Sequence, residues 1–491
     1  MGELSGRGRL FRTDGVRGVA GRDVTAALAL DLSVAAAAVL GGSGGGRPGT
    51  PVAVVGRDPR VSGDFLEAAV VAGLASSGVD VLRLGVIPTP GVAYLTQALG
   101  AAFGVVISAS HNPATDNGIK FFGPGGAKLP DAVERQIEAQ LKSARSSRPD
   151  TVFGRITDAG AEQDRYLGYL LSSLPAVPGR RLPPLAGLRV VADCAHGAAH
   201  RIAPRALRRA GAEVIAIGAE PDGLNLNDGC GSTKLSALAA AVVEHDADAG
   251  VAYDGDADRC LAVDAAGRPL DGDQILTVLA TELKEAGRLA RDTVVVTAMS
   301  NQGFHVAMRR AGIRVIETPV GDKYVSAAMR DGGYVLGGEQ SGHIIMGEHA
   351  TTGDGVLTSL QLLATVNRRG ITMAAAAEMM PKYPQLLVNV PGDALPPGSG
   401  LAAAVSRAKS RLGADGRVLV RASGTERAIR LMVQAVDAGL AEQVIGQLAA
   451  EVRLAFGRRQ PTVAVRPCLP PRASCKRAAA VRAARGRRSA S

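Results

Sequence analysis

The chain lacks several features that would assign it to common protein classes. Its five cysteines form no CxxC pair and follow no framework spacing, which favours a reducing, cytoplasmic setting. No Gly-Lys dipeptide occurs, so the Walker A loop that binds the phosphates of ATP is absent. The longest apolar run near the N-terminus, residues 26–40, contains Asp31 and is shorter than the roughly 20 residues that span a bilayer. Residues 1–11 contain no apolar signal region, so we expect no secretion signal.

The excess of positive charge is confined to one end of the chain. The 491 residues include 56 basic and 46 acidic ones, a formal net charge of +10. Residues 458–491 hold ten Lys and Arg and no Asp or Glu, so the preceding part carries no net charge. Because basic and acidic residues are equal in number before residue 458, we predict no basic binding face there. We expect neither nucleic acid nor a membrane as partner. The Arg-rich end has little to bury and is predicted to be disordered.

Short apolar runs alternate with longer helical stretches, a pattern typical of layered α/β proteins. Several runs, such as residues 105–107 and 294–297, are apolar almost throughout, as expected for strands covered on both faces. Helices are expected at residues 232–245, 273–286, 303–311 and 353–367. Pro-rich breaks suggest the domain borders. We predict four domains and a tail, at residues 1–173, 174–265, 266–380, 381–457 and 458–491.

Three aspartates, Asp254, Asp256 and Asp258, directly follow an apolar run at intervals of two residues. In extended or looped backbone this spacing can turn all three side chains to one side. Carboxylates held together repel one another unless a cation joins them, and hard oxygen ligands suit Mg²⁺. An EF-hand is excluded because Arg259 and Ala265 stand where that loop needs Gly and Glu. A solvated acidic turn is the alternative.

A second polar segment, Ser-Ala-Ser-His-Asn-Pro at residues 108–113, follows another apolar run. A small hydroxyl residue just past a buried strand is well placed as a nucleophile or phosphate carrier. Ser108 and Ser110 both meet this description, and the residues themselves do not choose between them. No GxSxG elbow surrounds either serine, which argues against a Ser-His-Asp hydrolase.

Two further segments have the composition of ligand-binding loops. Residues 337–344 bring together the carboxylate of Glu339, the hydroxyl of Ser341 and the imidazole of His343, which can hydrogen-bond sugar hydroxyls. An ordinary polar turn is the alternative. Residues 421–426, Arg-Ala-Ser-Gly-Thr-Glu, are followed by Arg430. Backbone N–H groups flanked by arginines can cradle a phosphate, and a salt-bridged hairpin is the alternative here.

Taken in order, five segments resemble the α-D-phosphohexomutase family over residues 10–456. They are Phe-Arg-Thr-Asp-Gly-Val-Arg-Gly at 11–18, Ser-Ala-Ser-His-Asn-Pro at 108–113, Asp-Gly-Asp-Ala-Asp-Arg at 254–259, Gly-Glu-Gln-Ser-Gly-His at 338–343 and Arg-Ala-Ser-Gly-Thr-Glu at 421–426. The resemblance implies an α/β enzyme with three similar mixed-sheet α/β domains and a smaller α+β C-terminal domain around a central cleft.

The resemblance also implies roles for individual residues. Ser110 would be a phosphoserine and would hold one Mg²⁺ per chain together with Asp254, Asp256 and Asp258. The catalytic positions near the transferring group, besides Ser110, are matched by Arg17, Lys120 and His343. The substrate-binding positions are matched by Arg259, Glu339, Ser341, Arg421, Ser423, Gly424, Thr425 and Arg430. A sugar loop would lie at residues 319–324.

The first, second and fourth segments resemble the branch of the family that acts on glucosamine phosphates. This implies an isomerase that interconverts glucosamine 6-phosphate and glucosamine 1-phosphate through glucosamine 1,6-bisphosphate and feeds UDP-N-acetylglucosamine and cell-wall synthesis. The expected partner is a small phosphosugar, and a homodimer is left open. Arg12 stands where this branch usually has Gly. Ala422 and Arg427 stand where its phosphate loop usually has prolines, which loosens that loop but removes no ligand.

Three alternatives remain at the level of sequence. One is a phosphomannomutase or phosphoglucomutase of the same fold. A second is a phosphatase with Asp254 as nucleophile, although its motif expects Thr or Val where Asp258 stands. A third is a binding protein whose basic tail contacts RNA or acidic surfaces.

Overall fold

The computed structural model describes residues 10–11, 15–42, 49–141, 153–175, 182–391, 401–413, 415–422, 428–455 and 466–467. The chain divides into two compact units, one of Met1–Ser300 with Phe304–Pro381 and one of Asn301–Gly303 with Lys382–Ser491. Among the described residues, no helix is both long and apolar enough to cross a membrane.

The first sheet of the first unit has six strands, with helices packed against it. Its strand order is β1-β5-β4-β2-β3-β6, in which β5 runs antiparallel to β1 and β4 while the other neighbours are parallel. All five residues of β4 are buried, which explains why this run is apolar throughout. The elements are β1 (Val16–Val19), α1 (Ala26–Leu40), β2 (Val52–Arg57), α2 (Ser62–Ser76), β3 (Asp80–Val86), α3 (Thr89–Ala98), β4 (Phe103–Ile107), β5 (Asp116–Phe122), α4 (Asp131–Leu141), β6 (Ile156–Asp158) and α5 (Gln163–Ser172).

The second sheet has five strands in the order β11-β10-β9-β7-β8, with β9 and β10 forming an antiparallel pair. Its elements are β7 (Arg189–Asp193), α6 (Ala199–Arg209), β8 (Glu213–Ile217), α7 (Ser236–Glu244), β9 (Ala249–Tyr253), β10 (Cys260–Asp264) and β11 (Pro269–Leu270). The helix predicted from residue 232 begins four residues later. Ser232 donates its N–H to the Tyr253 carbonyl, which holds this stretch against β9 instead of in a helix.

The third sheet has four strands in the order β13-β12-β14-β15, of which only β15 runs antiparallel to its neighbour. Its elements are α8 (Gly272–Glu285), β12 (Thr293–Thr297), α9 (Gln302–Arg310), β13 (Arg314–Thr318), α10 (Asp322–Gly332), β14 (Leu336–Gly338), β15 (Ile344–Met346), α11 (Gly355–Arg369) and α12 (Met373–Glu378). Asp271 and Asp354 accept hydrogen bonds from backbone N–H groups at the starts of α8 and α11. Both aspartates are therefore N-caps.

The three sheets share one large apolar core, and each also has a smaller cluster of its own. A single cluster of buried side chains includes Val54 from β2, Val190 from β7, Val296 from β12 and Leu360 from α11. Because interiors are close-packed, this shared core holds the loops at the strand ends in defined positions relative to one another. Those loops carry the polar segments singled out in the sequence.

The second unit contains a smaller, fully antiparallel sheet in the order β17-β18-β16-β19. Its elements are β16 (Gln385–Pro391), α13 (Leu401–Leu412), β17 (Arg417–Ala422), β18 (Ala428–Gln434), α14 (Ala438–Ala455) and β19 (Arg466–Pro467). The predicted fold class, three mixed-sheet α/β domains and a smaller α+β domain, is confirmed. The boundaries assigned to these domains remain a prediction.

One part of the predicted disordered tail requires correction. Arg466 and Pro467 form a short strand that pairs with Leu386 and Leu387 of β16. The free edge of β16 offers unpaired backbone groups, which another extended segment can satisfy. The rest of residues 458–491 lies outside the described residues.

Candidate active site

The serine segment forms the connection between β4 and β5, and the two serines in it have different surroundings. Ser110 donates its hydroxyl to Oδ2 of Asp254 over 2.5 Å and is only 1% exposed. Ser108 instead donates its hydroxyl to Oδ2 of Asp58 over 2.6 Å. The structure therefore brings Ser110, and not Ser108, to the acidic segment.

The three aspartates lie in the connection between β9 and β10 and are buried. Their carboxylate oxygens lie within 4.8 Å of one another, one oxygen from each residue. Within the described part of the chain, Oδ1 of Asp256 and Oδ1 of Asp258 are buried and accept no hydrogen bond. Buried carboxylate oxygens are costly to leave unsatisfied, and hard oxygen donors are the ligands that divalent cations prefer. These residues therefore fit a divalent metal ion.

The three carboxylates differ in their electrostatic environments. Burial and the charges of Asp258 and Asp256 raise the pKa of Asp254 well above its ordinary value. Burial opposes ionisation of Asp256 and Asp258, and at Asp256 the charge of Asp258 opposes it as well. Lys120 and the Thr89 hydroxyl together outweigh these effects at Asp256 and lower its pKa. His343, Lys120 and Arg259 together do the same at Asp258. Neighbouring cations thus compensate part of the negative charge of the cluster.

Two predicted catalytic residues lie against the acidic cluster. The Nζ of Lys120, on β5, is 2.8 Å from Oδ2 of Asp256 and 4.0 Å from Oδ2 of Asp258. The Nδ1 of His343 is 3.5 Å from Oδ2 of Asp258. Burial lowers the pKa of His343, but the nearby carboxylates, above all Asp258, outweigh it and raise that pKa. Proton-carrying groups from the first and third sheets therefore meet the cluster on the second.

The charges of Arg17 and Arg259 act on His111, the histidine that follows Ser110. Burial, Arg259 and Arg17 lower the pKa of His111 to about 4. The same imidazole has its Nδ1 3.4 Å from the Ser110 hydroxyl. His111 is therefore neutral near pH 7, while Arg17 and Arg259 keep positive charge near the serine turn.

The proposed sugar-binding segments meet at Glu339. Gly321, in the loop before α10, donates its N–H to Oε1 of Glu339 over 3.2 Å. Ser341 donates its hydroxyl to Oε2 of the same carboxylate over 3.3 Å. Burial lowers the pKa of Arg259, but the charges of Asp254, Asp258 and then Glu339 together outweigh it and raise that pKa. The third sheet thus carries a polar loop electrostatically coupled to the acidic cluster.

In the second unit, Arg421 of β17 lies directly opposite Arg430 of β18. Burial, and then the charge of Arg430, lowers the pKa of Arg421. Like charges directly opposite each other on neighbouring strands are unfavourable. An anion beside this pair would relieve the repulsion. Ser423, Gly424 and Thr425 lie outside the described residues.

Several residues near the serine turn and acidic loop were not singled out by the sequence analysis. Thr89, at the start of α3, donates its hydroxyl to Oδ2 of Asp256 over 2.7 Å. Asn227, in the connection between β8 and α7, donates Nδ2 to the Ser110 carbonyl over 3.0 Å. Arg60 donates Nη2 to the same carbonyl over 2.9 Å. Each of these residues is distant in sequence from the group that it contacts. A local sequence pattern therefore could not identify them.

Gly255 allows the acidic loop to approach the serine turn, and replacing it should disturb their contact. A Cβ at this position would lie 2.6 Å from the backbone oxygen of Ser110. We expect Gly255→Ala to lower kcat by about 10- to 100-fold, because displacing reacting groups by about 1 Å has effects of this size. Steady-state kinetics of the purified variant would measure it.

The matched control is Gly168→Ala, in α5, where a Cβ would meet no atom within 4 Å. This variant should retain wild-type kcat. Equal kcat for Gly255→Ala and Gly168→Ala would show that the close approach of the two loops is not needed for turnover.

Four domain families match successive parts of the chain. They are described as phosphoglucomutase/phosphomannomutase alpha/beta/alpha domain I at residues 8–148, domain II at 164–267, domain III at 271–383 and the C-terminal domain at 387–451. Together they cover most of the chain.

Individual proteins are also similar to this chain over nearly their full lengths. A phosphoglucosamine mutase from Thermobifida fusca (strain YX) is 59% identical over 91% of this chain and 98% of its own. One from Streptomyces griseus is 57% identical over 92% and 100%. A crystal structure of a phosphoglucomutase/phosphomannomutase family protein from Burkholderia thailandensis matches with a TM-score of 0.74 and 24% identity, over 91% of this chain and 97% of that one.

Proposed function

The chain belongs to the phosphoglucomutase/phosphomannomutase family, and on that premise we propose that it interconverts glucosamine 6-phosphate and glucosamine 1-phosphate. The observation that carries this proposal is the 2.5 Å contact between the Ser110 hydroxyl and Asp254, within a cluster of three buried aspartates. The choice of glucosamine over other sugars is supported by relatives with 57–59% identity that bear this activity in their names.

The reaction would proceed in two phosphoryl transfers. In the first, the bond between phosphorus and Oγ of phosphorylated Ser110 breaks, while a bond forms between phosphorus and the free hydroxyl oxygen of the sugar phosphate. The sugar hydroxyl loses its proton and Oγ of Ser110 gains one, so the products are a 1,6-bisphosphate and unmodified Ser110. After the sugar reorients, Oγ of Ser110 attacks the other phosphoryl group and loses its proton. The bond between that phosphorus and its sugar oxygen breaks, the sugar oxygen is protonated, and the isomeric monophosphate leaves.

The residues of the first unit have complementary tasks in this proposal. Asp254, Asp256 and Asp258, with a phosphoryl oxygen on Ser110, would hold one Mg²⁺, which supplies charge neutralisation at the transferring phosphoryl group. Lys120 and His343, which contact Asp256 and Asp258, are the candidates for relaying the hydroxyl proton. Arg17 and Arg259 add positive charge beside the serine turn.

Substrate recognition is assigned to two kinds of group. Glu339 and Ser341 would accept and donate hydrogen bonds to the sugar, and Glu339 is already oriented by the Gly321 N–H. In the second unit, Arg421 and Arg430 would bind a phosphate group, which their mutual repulsion favours. Ser423, Gly424 and Thr425 belong to the same proposed phosphate loop.

A comparison of substrates tests the proposal directly. We expect kcat/KM for glucosamine 6-phosphate to exceed the values for glucose 6-phosphate and mannose 6-phosphate by about 10-fold or more, since hydrogen-bonding sites discriminate against analogues that lack their partner. Each assay contains the matching 1,6-bisphosphate and Mg²⁺, and the isomeric product is quantified.

Two results would contradict the proposal in different ways. A preference for glucose or mannose phosphate would make the protein another mutase of this family. Release of inorganic phosphate without an isomeric sugar phosphate would make it a phosphatase.

A further inference from the structure

We infer that Arg60, acting through Asp58 and Ser108, is a positioning residue that fixes the reactive conformation of Ser110. The inference rests on the proposed role of Ser110 in phosphoryl transfer. Arg60 and Asp58 belong neither to the acidic cluster nor to the predicted catalytic set, and Ser108 is the candidate serine that faces Asp58 instead of the cluster. The side chains of all three are fully buried.

The Arg60 guanidinium binds the backbone of the serine turn at several points. Its Nη2 donates to the carbonyl oxygens of Ser110 and Asn112, each over 2.9 Å. Its Nη1 donates to the carbonyl oxygen of Asp116 over 2.9 Å, and also to that of Pro113. The planar, five-donor guanidinium is suited to holding several acceptors in fixed directions, which the single head group of lysine cannot do.

A second branch of the same network holds the N–H of Ser110. The Nε of Arg60 donates to Oδ2 of Asp58 over 2.9 Å, and the hydroxyl of Ser108 donates to the same oxygen over 2.6 Å. Ser108 in turn accepts the N–H of Ser110 over 2.9 Å. Both backbone polar groups of Ser110 are thereby fixed by one connected network, while its side-chain oxygen points to Asp254.

The conformation of Ser110 requires such support. Its φ is 53°, in the left-handed region that residues with a Cβ enter at an energetic cost. Glycine would adopt this conformation without cost if the residue served only to reverse the chain. A serine keeps it only where neighbouring contacts hold the backbone in place. A buried Arg–Asp pair is also weak evidence for a stabilising role, because desolvation offsets its attraction. A role in holding the nucleophile accounts both for the left-handed conformation of Ser110 and for the buried pair of Arg60 and Asp58.

The test compares two buried serines of the first sheet domain. Ser108→Ala removes the hydroxyl that accepts from Ser110, and Ser33→Ala removes a fully buried hydroxyl that donates to the Ala29 carbonyl within α1. Each variant loses one buried hydroxyl; Ser108→Ala thereby loses two hydrogen bonds, to Asp58 and from Ser110, and Ser33→Ala loses the one to Ala29. We expect kcat of Ser108→Ala to fall by about 10- to 100-fold, as for a nucleophile displaced by about 1 Å, while Ser33→Ala keeps wild-type kcat.

Further readouts separate positioning from general destabilisation. Ser108→Ala should unfold at a temperature at or somewhat below that of Ser33→Ala, because it loses one more buried hydrogen bond. Its KM for glucosamine 6-phosphate should stay within about twofold, because the Ser108 side chain is fully buried and bonded to Asp58. The rate at which dephosphorylated protein gains about 80 Da from glucosamine 1,6-bisphosphate should fall in parallel with kcat. Equal kcat values for the two variants, or a loss confined to KM, would overturn the inference.

Arg60→Lys provides a second measurement. It keeps the charge beside Asp58 but cannot bind the four carbonyls together, so we expect a kcat loss at least as large as that of Ser108→Ala. Wild-type kcat in a folded Arg60→Lys protein would contradict the inference, and if this variant does not fold, the serine pair decides. Wild-type protein that gains no phosphate on Ser110 would refute the proposed function itself, which separates the two failures.

Discussion

Ser110→Ala is expected to lower kcat by about 10³-fold or more, the effect usually seen when a covalent nucleophile is removed. The hydroxyl that contacts Asp254 is the only group of this side chain able to carry a phosphate ester. Without it, the enzyme cannot exchange a phosphoryl group with a bisphosphate. Turnover of glucosamine 6-phosphate with added glucosamine 1,6-bisphosphate and Mg²⁺ would measure the loss.

Mass spectrometry identifies the cause of this loss. Wild-type protein incubated with the bisphosphate should gain about 80 Da on the peptide that contains Ser110, whereas Ser110→Ala should gain nothing there. Ser33→Ala serves as the folded control and should behave as wild type in both assays. Appreciable mutase turnover by Ser110→Ala would remove this serine from its proposed role.

Removal of the metal, or of one carboxylate that would hold it, is the second large effect we expect. Chelation with EDTA should abolish turnover of the wild type, and Mg²⁺ should restore it. Asp254→Asn should lower kcat/KM by about 10²- to 10⁴-fold at saturating Mg²⁺, since a bound cation supplies several kcal/mol of transition-state stabilisation. Activity assays across a series of Mg²⁺ concentrations would measure both.

Stability provides an independent readout of the same site. The three carboxylates of the acidic cluster are buried together, and their mutual repulsion opposes folding when no cation is bound. Mg²⁺ should therefore raise the unfolding temperature of the wild type, because a ligand of the native state stabilises it. Asp254→Asn should lose this increase without a lower unfolding temperature in EDTA.

Asp264→Asn is the matched control for the metal experiment. Asp264 is also buried, and it is the last residue of β10, the strand that begins just after the cluster; there it accepts the N–H groups of Ala266 and Arg268. This variant should retain both activity and the response to Mg²⁺. Full wild-type activity in the presence of EDTA, or in Asp254→Asn, would contradict the metal-dependent mechanism.

Much of the fold could be predicted from local pattern because each element carries its own signal. Runs such as β4 are apolar throughout since both faces of these strands are buried. The helices predicted at residues 273–286 and 353–367 begin within two residues of α8 and α11. The start of α7 was predicted four residues early, since the hydrogen bond from Ser232 to Tyr253 that replaces helix there joins segments distant in sequence.

The candidate site was predictable to the extent that its residues cluster in the chain. The acidic segment and the serine segment were identified separately, and the residues themselves left Ser108 and Ser110 as equal candidates. The structure separates them, since Ser108 faces Asp58 while Ser110 faces Asp254. Thr89 could not have been found, because nothing local relates α3 to Asp256.

The sequence by itself determined the layered α/β architecture, the acidic triplet and the serine-containing turn, because periodicity and spacing are properties of short segments. Only the tertiary structure decided which hydroxyl meets which carboxylate and which buried cation lies beneath the turn. Those contacts join residues more than 40 positions apart, such as Arg60 with Ser110 and Ser110 with Asp254. Their geometry follows from how the sheets pack around a shared core, which no single segment encodes.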